Sequence, residues 1–217
     1  MSGFAEAGRP LLLPTAYFPP LAYYACLAGG RDIIIEQKET FPKQTYRNRC
    51  EIMTVSGKTT LIVPVTKPDG NHTRSENILI SYREPWQRTH WRALETAYNS
   101  SPFFLYYSGR IRILFEMQES SLIQYNDNIL RCLNELIGIN PSISYSDNYV
   151  KSPVDMQDLR NVFTPKKEIP GMDYPSYMQV FRHIHGFLAG LSILDLLFHL
   201  GPDSKKYLDN IFRQLAG

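Results

Sequence analysis

The chain has 217 residues, of which 43% are hydrophobic and 20% charged, and its 23 basic and 21 acidic side chains leave a formal net charge of +2. So apolar a composition can bury a sizeable core and excludes wholesale disorder. The small charge excludes a protein whose affinity comes from neutralising many phosphates, so nucleic acid is not an expected partner.

Residues 1–10 read as a loose tail. Leu11-Leu12-Leu13 is a short apolar run stopped by Pro14 and reads as a buried strand. Pro19-Pro20 suits a first helical turn, because proline's fixed φ is helical and its missing N–H would be unpaired there. The helix continues through Leu21–Leu27 and closes at Gly29-Gly30, and Ile33-Ile34-Ile35 follows as a second apolar strand. Together they form a predicted βαβ unit with a sheet covered on both faces. The stretch from Leu11 to Gly30 is uncharged, yet its interior prolines exclude a membrane-spanning helix.

A long polar connection spans 36–49. Cys50–Val55 and Thr59–Val65 then alternate around Ser56-Gly57 as a hairpin, and Ile78-Leu79-Ile80 reads as another strand. Trp86–Asn99 carries Trp86, His90, Leu94 and Ala97 at helical spacing, and Leu122–Ile137 carries a second stripe behind the candidate cap Ser121. The region 140–175 holds five prolines, cannot be one long helix, and reads as a functional or mobile excursion. Ser192–Leu200 and a segment from about Asp203 complete a helical C-terminal part. The fold expected is α/β, one domain over 1–217, with a mixed or mostly parallel sheet and flanking helices; the hairpin locally favours α+β with an antiparallel sheet.

Three cysteines, Cys26, Cys50 and Cys132, are widely spaced and make no CxxC, which fits reduced thiols in the cytoplasm. Ser56-Gly57-Lys58-Thr59-Thr60 lacks the upstream glycine and the strand–helix flanks of a phosphate loop, so it reads as a turn. His183-Ile184-His185 has no clear third metal ligand nearby, and no metal is assigned. Asp195 and His199 stand four apart on a predicted helix, where Asp195 serves a capping box more simply than a catalytic dyad. His90 is a core histidine by its helix face and a candidate general base by its chemistry.

The densest cationic segment is Lys43-Gln44-Thr45-Tyr46-Arg47-Asn48-Arg49. Its guanidinium forks suit carboxylates or phosphates, and its aromatic and amide groups suit a sugar or base ring. It leaves the carboxyl end of a predicted strand, the edge where open α/β sheets bind ligands, and the turn Tyr17–Pro20 opens a helix at that edge. The partner expected is an anionic small molecule or a sugar. No motif names a cofactor or an oligomeric state.

These blocks resemble the WbqC-like family from about Leu12 to Phe103. The opening Pro14-Thr15-Ala16-Tyr17-Phe18-Pro19-Pro20, the stretch ending Tyr46-Arg47-Asn48-Arg49, Gly57 with Val63-Pro64-Val65, and the series Trp86, His90, Tyr98, Pro102, Phe103 follow the family's order. The stretch from Gly190 to Leu197 through Gly201-Pro202 is similar to the family's Bacteroidetes branch. The opening glutamine of the family motif is absent, and Gln37 and Lys38 stand where other members carry acidic residues. The resemblance implies an association with surface-polysaccharide clusters and raises the standing of His90 and Arg47-Asn48-Arg49 as site residues. The function expected is a transferase on an activated sugar or acyl donor, with His90 moving a proton, Lys43, Arg47, Asn48 and Arg49 binding the donor, and Tyr17 and Tyr46 stacking on its ring. A non-catalytic glycan- or nucleotide-binding protein is the alternative, which the missing glutamine favours.

Overall fold

The computed structural model describes residues 8–167, 169 and 172–216. Most of the expected tail and Pro170 of the excursion lie outside the described residues. The first strand, β1 (Leu11–Pro14), the helix α1 (Leu21–Ala28) and β2 (Ile33–Glu36) form the expected βαβ unit, with Leu12 opposite Ile34 in a parallel register. Every residue of α1 from Leu21 to Leu27 is buried, as a helix apolar on all sides must be.

The uncharged stretch thus becomes one strand and one short helix. Among the described residues no helix is long and apolar enough to cross a membrane.

The chain then builds the hairpin β3 (Arg49–Thr54) and β4 (Gly57–Ile62) and a small antiparallel pair, β5 (Val65–Thr66) with β6 (Leu79–Ile80). The hairpin turns at Val55-Ser56, one residue earlier than the sequence suggests, because Gly57 takes a φ of +95° and already begins β4. Three helices follow: α2 (Trp86–Tyr98), α3 (Phe104–Leu114) and α4 (Leu122–Ile137). The Ser121 hydroxyl caps α4 by accepting from the Gln124 amide at 3.4 Å.

The proline-rich region supplies two strands, β7 (Ile143–Tyr145) and β8 (Gln157–Asp158), that complete the sheet. The four-stranded order is β7-β2-β1-β8, and every pairing is parallel. The architecture is therefore α/β, and the antiparallel hairpin lies outside the main sheet. Strand order runs outward from β1 through β2 to β7, then returns to the far side of β1 with β8. The place where the order reverses, between the carboxyl ends of β1 and β8, is the topological switch point at which open sheets bind ligands.

The one-turn helix α5 (Arg182–His185), α6 (Ile193–Leu200) and α7 (Ser204–Ala216) complete the chain, with α7 against α1. Ser192 caps α6 by accepting from the Leu194 amide at 3.3 Å. Gly201, after α6, has a φ of +52°, and a Cβ there would stand 2.6 Å from the Phe103 ring. The conformational and steric penalties together predict that Gly201→Ala loses about 2–4 kcal/mol of stability, read as a shift in the urea midpoint.

Candidate functional site at the sheet's carboxyl edge

The four strands end on one edge, where Glu36, Arg47 and Arg160 are charged and buried. Glu36, the last residue of β2, accepts from the Ser146 hydroxyl and the Lys38 amide at 2.7 Å each, and from Arg160 Nη1 at 3.0 Å. Arg160 follows β8 and also grips Asp158, with Nη2 donating at 2.6 Å. Arg47 donates from Nε to Glu39 at 2.6 Å and from Nη2 to the Arg160 carbonyl at 3.2 Å. Glu36 and Arg47 are each 1% exposed and Arg160 is 3% exposed, so their pairing is obligatory. Burial raises the Glu39 pKa above its ordinary value, and the Arg47 guanidinium beside it pulls in the opposite direction.

The opening turn is clamped onto this network. The Tyr17 amide donates to the Tyr46 carbonyl at 2.9 Å, and Asn126 Nδ2 donates to Thr15 Oγ1 and to the Arg47 carbonyl at 2.9 Å each. Phe18 adopts a φ of +40°, rare for a bulky residue. Its ring stacks on Phe115, and its carbonyl accepts from the Ser192 hydroxyl at 2.9 Å. The Tyr17 hydroxyl lies 2.8 Å from His90 Nδ1. Burial pushes the His90 pKa down to about 4, partly offset by the Ile62 carbonyl accepting from the ring. The imidazole is therefore neutral near pH 7, and Nδ1 accepts from the Tyr17 hydroxyl.

A cavity of about 360 Å³ opens between the start of α1 and the segment after β8, the two chain segments that leave the strands flanking the switch point. Pro20, just before α1, and Ala22 within it line the cavity on one side and Phe163 on the β8 side. Its polar lining comprises Tyr46, Glu51, Lys58, Lys166, Lys167 and Tyr174, among other residues. Glu51 accepts from the Tyr46 hydroxyl at 2.8 Å and from Lys58 Nζ at 3.4 Å. Three ammonium groups against one carboxylate make the wall electropositive, and its aromatic rings offer flat apolar surface.

The structure does not bring the expected site residues to one place. Tyr46 reaches the cavity. Tyr17, Arg47 and Asn48 are brought together behind that wall, where Asn48 Nδ2 donates to the Val63 carbonyl at 2.9 Å. His90 joins Tyr17 there at 4% exposure and is not a lining residue of the cavity. Arg49 stands on β3, half-buried, with its Nε lacking a hydrogen-bond partner among the described residues. Lys43 is exposed, and its charge helps burial lower the pKa of Lys67.

Glu51, Lys166, Lys167 and Tyr174 are lining residues that the sequence reading passes over, and Lys58 enters it only as part of the hairpin turn. The adjacent Lys166-Lys167 pair inside the proline-rich excursion is the signal that points to them.

The other candidates find structural places. Asp195 and His199 do not form a dyad: His199 Nδ1 lies 2.7 Å from the Asp195 backbone carbonyl and 3.7 Å from the carboxylate, while Nε2 accepts from the Val180 amide at 3.0 Å. His185 Nε2 sits 2.8 Å from the Val55 carbonyl at the hairpin tip. An open groove on the β2–β7 side is lined by Gln37, Glu119 and Asp127, among others, and burial pushes the Asp127 pKa up to about 6.

The model of the WbqC-like protein family matches residues 15–165. The chain belongs to the WbqC-like protein family. The matched span takes in the opening turn from Thr15, the cationic connection, α2, α4 and the strands β2, β7 and β8. The chain is also 26% identical over 222 aligned residues to the uncharacterised protein Rv1507c of Mycobacterium tuberculosis, covering 91% of this chain and 96% of that protein. No solved structure matches the chain.

Removing one partner of the buried pair leaves the other charge stranded, so Arg47→Ala should cost about 3–5 kcal/mol of stability in chemical denaturation. His90 gives a second expectation, in pH. The unfolded ring takes up a proton below its ordinary pKa of 6.5, whereas the folded ring resists until about 4. Its contribution to stability is fully present above pH 6.5 and is lost as pH falls through that window. Wild type should lose on the order of 3 kcal/mol more than His90→Gln between pH 7 and 4, measured by urea denaturation at each pH.

Proposed function

We propose that the switch-point cavity binds an anionic, ring-bearing small molecule, and that this molecule is an activated sugar or acyl donor in surface-polysaccharide assembly. The observation that carries the reading is the lining: Lys58, Lys166 and Lys167 for an anionic group, with Tyr46 and Tyr174 for a ring, at the edge where α/β sheets take ligands. In this reading the chain works in the cytoplasm, where its three free cysteines stay reduced. The reaction is a transfer in which the lysines stabilise charge on the departing anion and the cavity wall positions the donor.

A second reading, holding the ligand without reaction, is favoured by one observation. His90, the imidazole candidate for proton transfer, is buried behind the wall and bonded to Tyr17 and to the Ile62 carbonyl.

Calorimetric titration at low salt with uridine diphosphate glucose and, separately, with acetyl-coenzyme A tests the site. One of the two should bind, and replacing both Lys166 and Lys167 by alanine should weaken it roughly tenfold or more, as expected for lost charge-assisted contacts. Failure of both compounds to bind, or an unchanged affinity in the double variant, contradicts the reading. Turnover of the bound donor supports transfer, and binding without turnover supports holding.

A further inference from the structure

We propose that Gln179 and Asp195 are positioning residues that latch the segment 174–190 into place as one wall of the cavity. The inference rests on the cavity being the ligand site. Tyr174 and Gly190 both line the cavity, and the Tyr174 hydroxyl lies 4.0 Å from where a Cβ on Gly190 would stand. The segment therefore begins and ends at the same wall, the geometry of a compact loop packed by its own side chains.

Its interior is held by one amide and one carboxylate. Gln179 is 1% exposed and pairs with Leu188 as a neighbouring strand would: Oε1 accepts from the Leu188 amide at 2.9 Å, and Nε2 donates to the Leu188 carbonyl at 3.0 Å. The same Nε2 donates to Asp195 Oδ2 at 2.7 Å, and the Tyr177 hydroxyl donates to that oxygen at 2.6 Å. Asp195 is fully buried on α6, so the loop is fixed to a rigid element of the core. Two outer bonds follow, from the Val180 amide to His199 and between His185 and Val55 at the hairpin tip. The first-turn position of Asp195 suggests a helix cap, yet its Oδ2 is spent on the loop.

A donor and an acceptor that meet directly can be exchanged. Gln179→Glu sets two carboxylates against each other, and Asp195→Asn faces amide with amide on one side. Combined, they remove the clash of carboxylates and allow one bond of reversed polarity, from Asn Nδ2 to the Glu carboxylate, while the oxygen that replaces Nε2 now faces the Leu188 carbonyl, so recovery is partial. Hydrogen exchange over 177–189 in the full chain, with calorimetric titration of uridine diphosphate glucose, reads the result.

Gln179→Ala and Gln179→Glu should raise exchange in this segment at least tenfold while α1 and α4 stay protected. Both should also weaken the probe several-fold, and the double variant should recover part of each loss. Unchanged exchange in Gln179→Ala, or a double variant no better than Gln179→Glu alone, overturns the latch. A loosened segment with undiminished affinity overturns its positioning role. If the probe does not bind the wild type, that counts against the cavity reading, and the exchange arm still decides the latch.

Discussion

A carboxylate at the end of β2 and a guanidinium just past β8 meet 3.0 Å apart, almost wholly out of water. The strands they belong to are not neighbours, because β1 lies between them. The pair therefore reaches across the end of the central strand and ties the two sides of the sheet's carboxyl edge together. Arg47 adds a second tie by donating to the Arg160 carbonyl while holding Glu39. With these groups desolvated, each depends on its partner. The opening turn, the connection 37–48 and the segment after β8 inherit their positions from this network.

The consequence for the site is a division of labour between the two basic residue types. The arginine of the central motif is turned inward, where a planar fork satisfies several buried acceptors at once. The charge left facing the cavity comes from lysines, whose flexible stems keep the ammonium group hydrated until a ligand arrives. Tyr46 joins the two layers. Its carbonyl receives the Tyr17 amide on the inner side, and its hydroxyl holds Glu51 at the cavity wall.

The elements legible in the sequence are those whose pattern is local. Continuous apolar runs mark β1, α1 and β2, and helical periodicity marks α2, α4, α6 and α7. The strands β7 and β8 escape notice because Ile143-Ser144-Tyr145 and Gln157-Asp158 are too short and polar to signal a strand, and they exist only because a sheet is there to receive them. Helix α3 is hidden differently: its inward residues Phe104, Tyr107, Ile111 and Leu114 are periodic, but exposed Leu105, Tyr106 and Ile113 blur the stripe. In the site, the opening turn and the cationic stretch are placed at one sheet edge by the strands they follow, whereas His90 enters through its helix face and the family resemblance and lies buried against Tyr17. That Arg47 would face inward was not legible, since its carbonyl partner lies 113 residues away.

Co-crystallisation of the full chain with uridine diphosphate glucose or acetyl-coenzyme A, whichever binds, tests the central claim most directly. The account predicts density for the ligand between α1 and the segment after β8, with its anionic group beside Lys166 and Lys167 and its ring against Tyr46 or Tyr174. Density in the groove of Gln37, Glu119 and Asp127 instead, with the switch-point cavity unchanged, would contradict it.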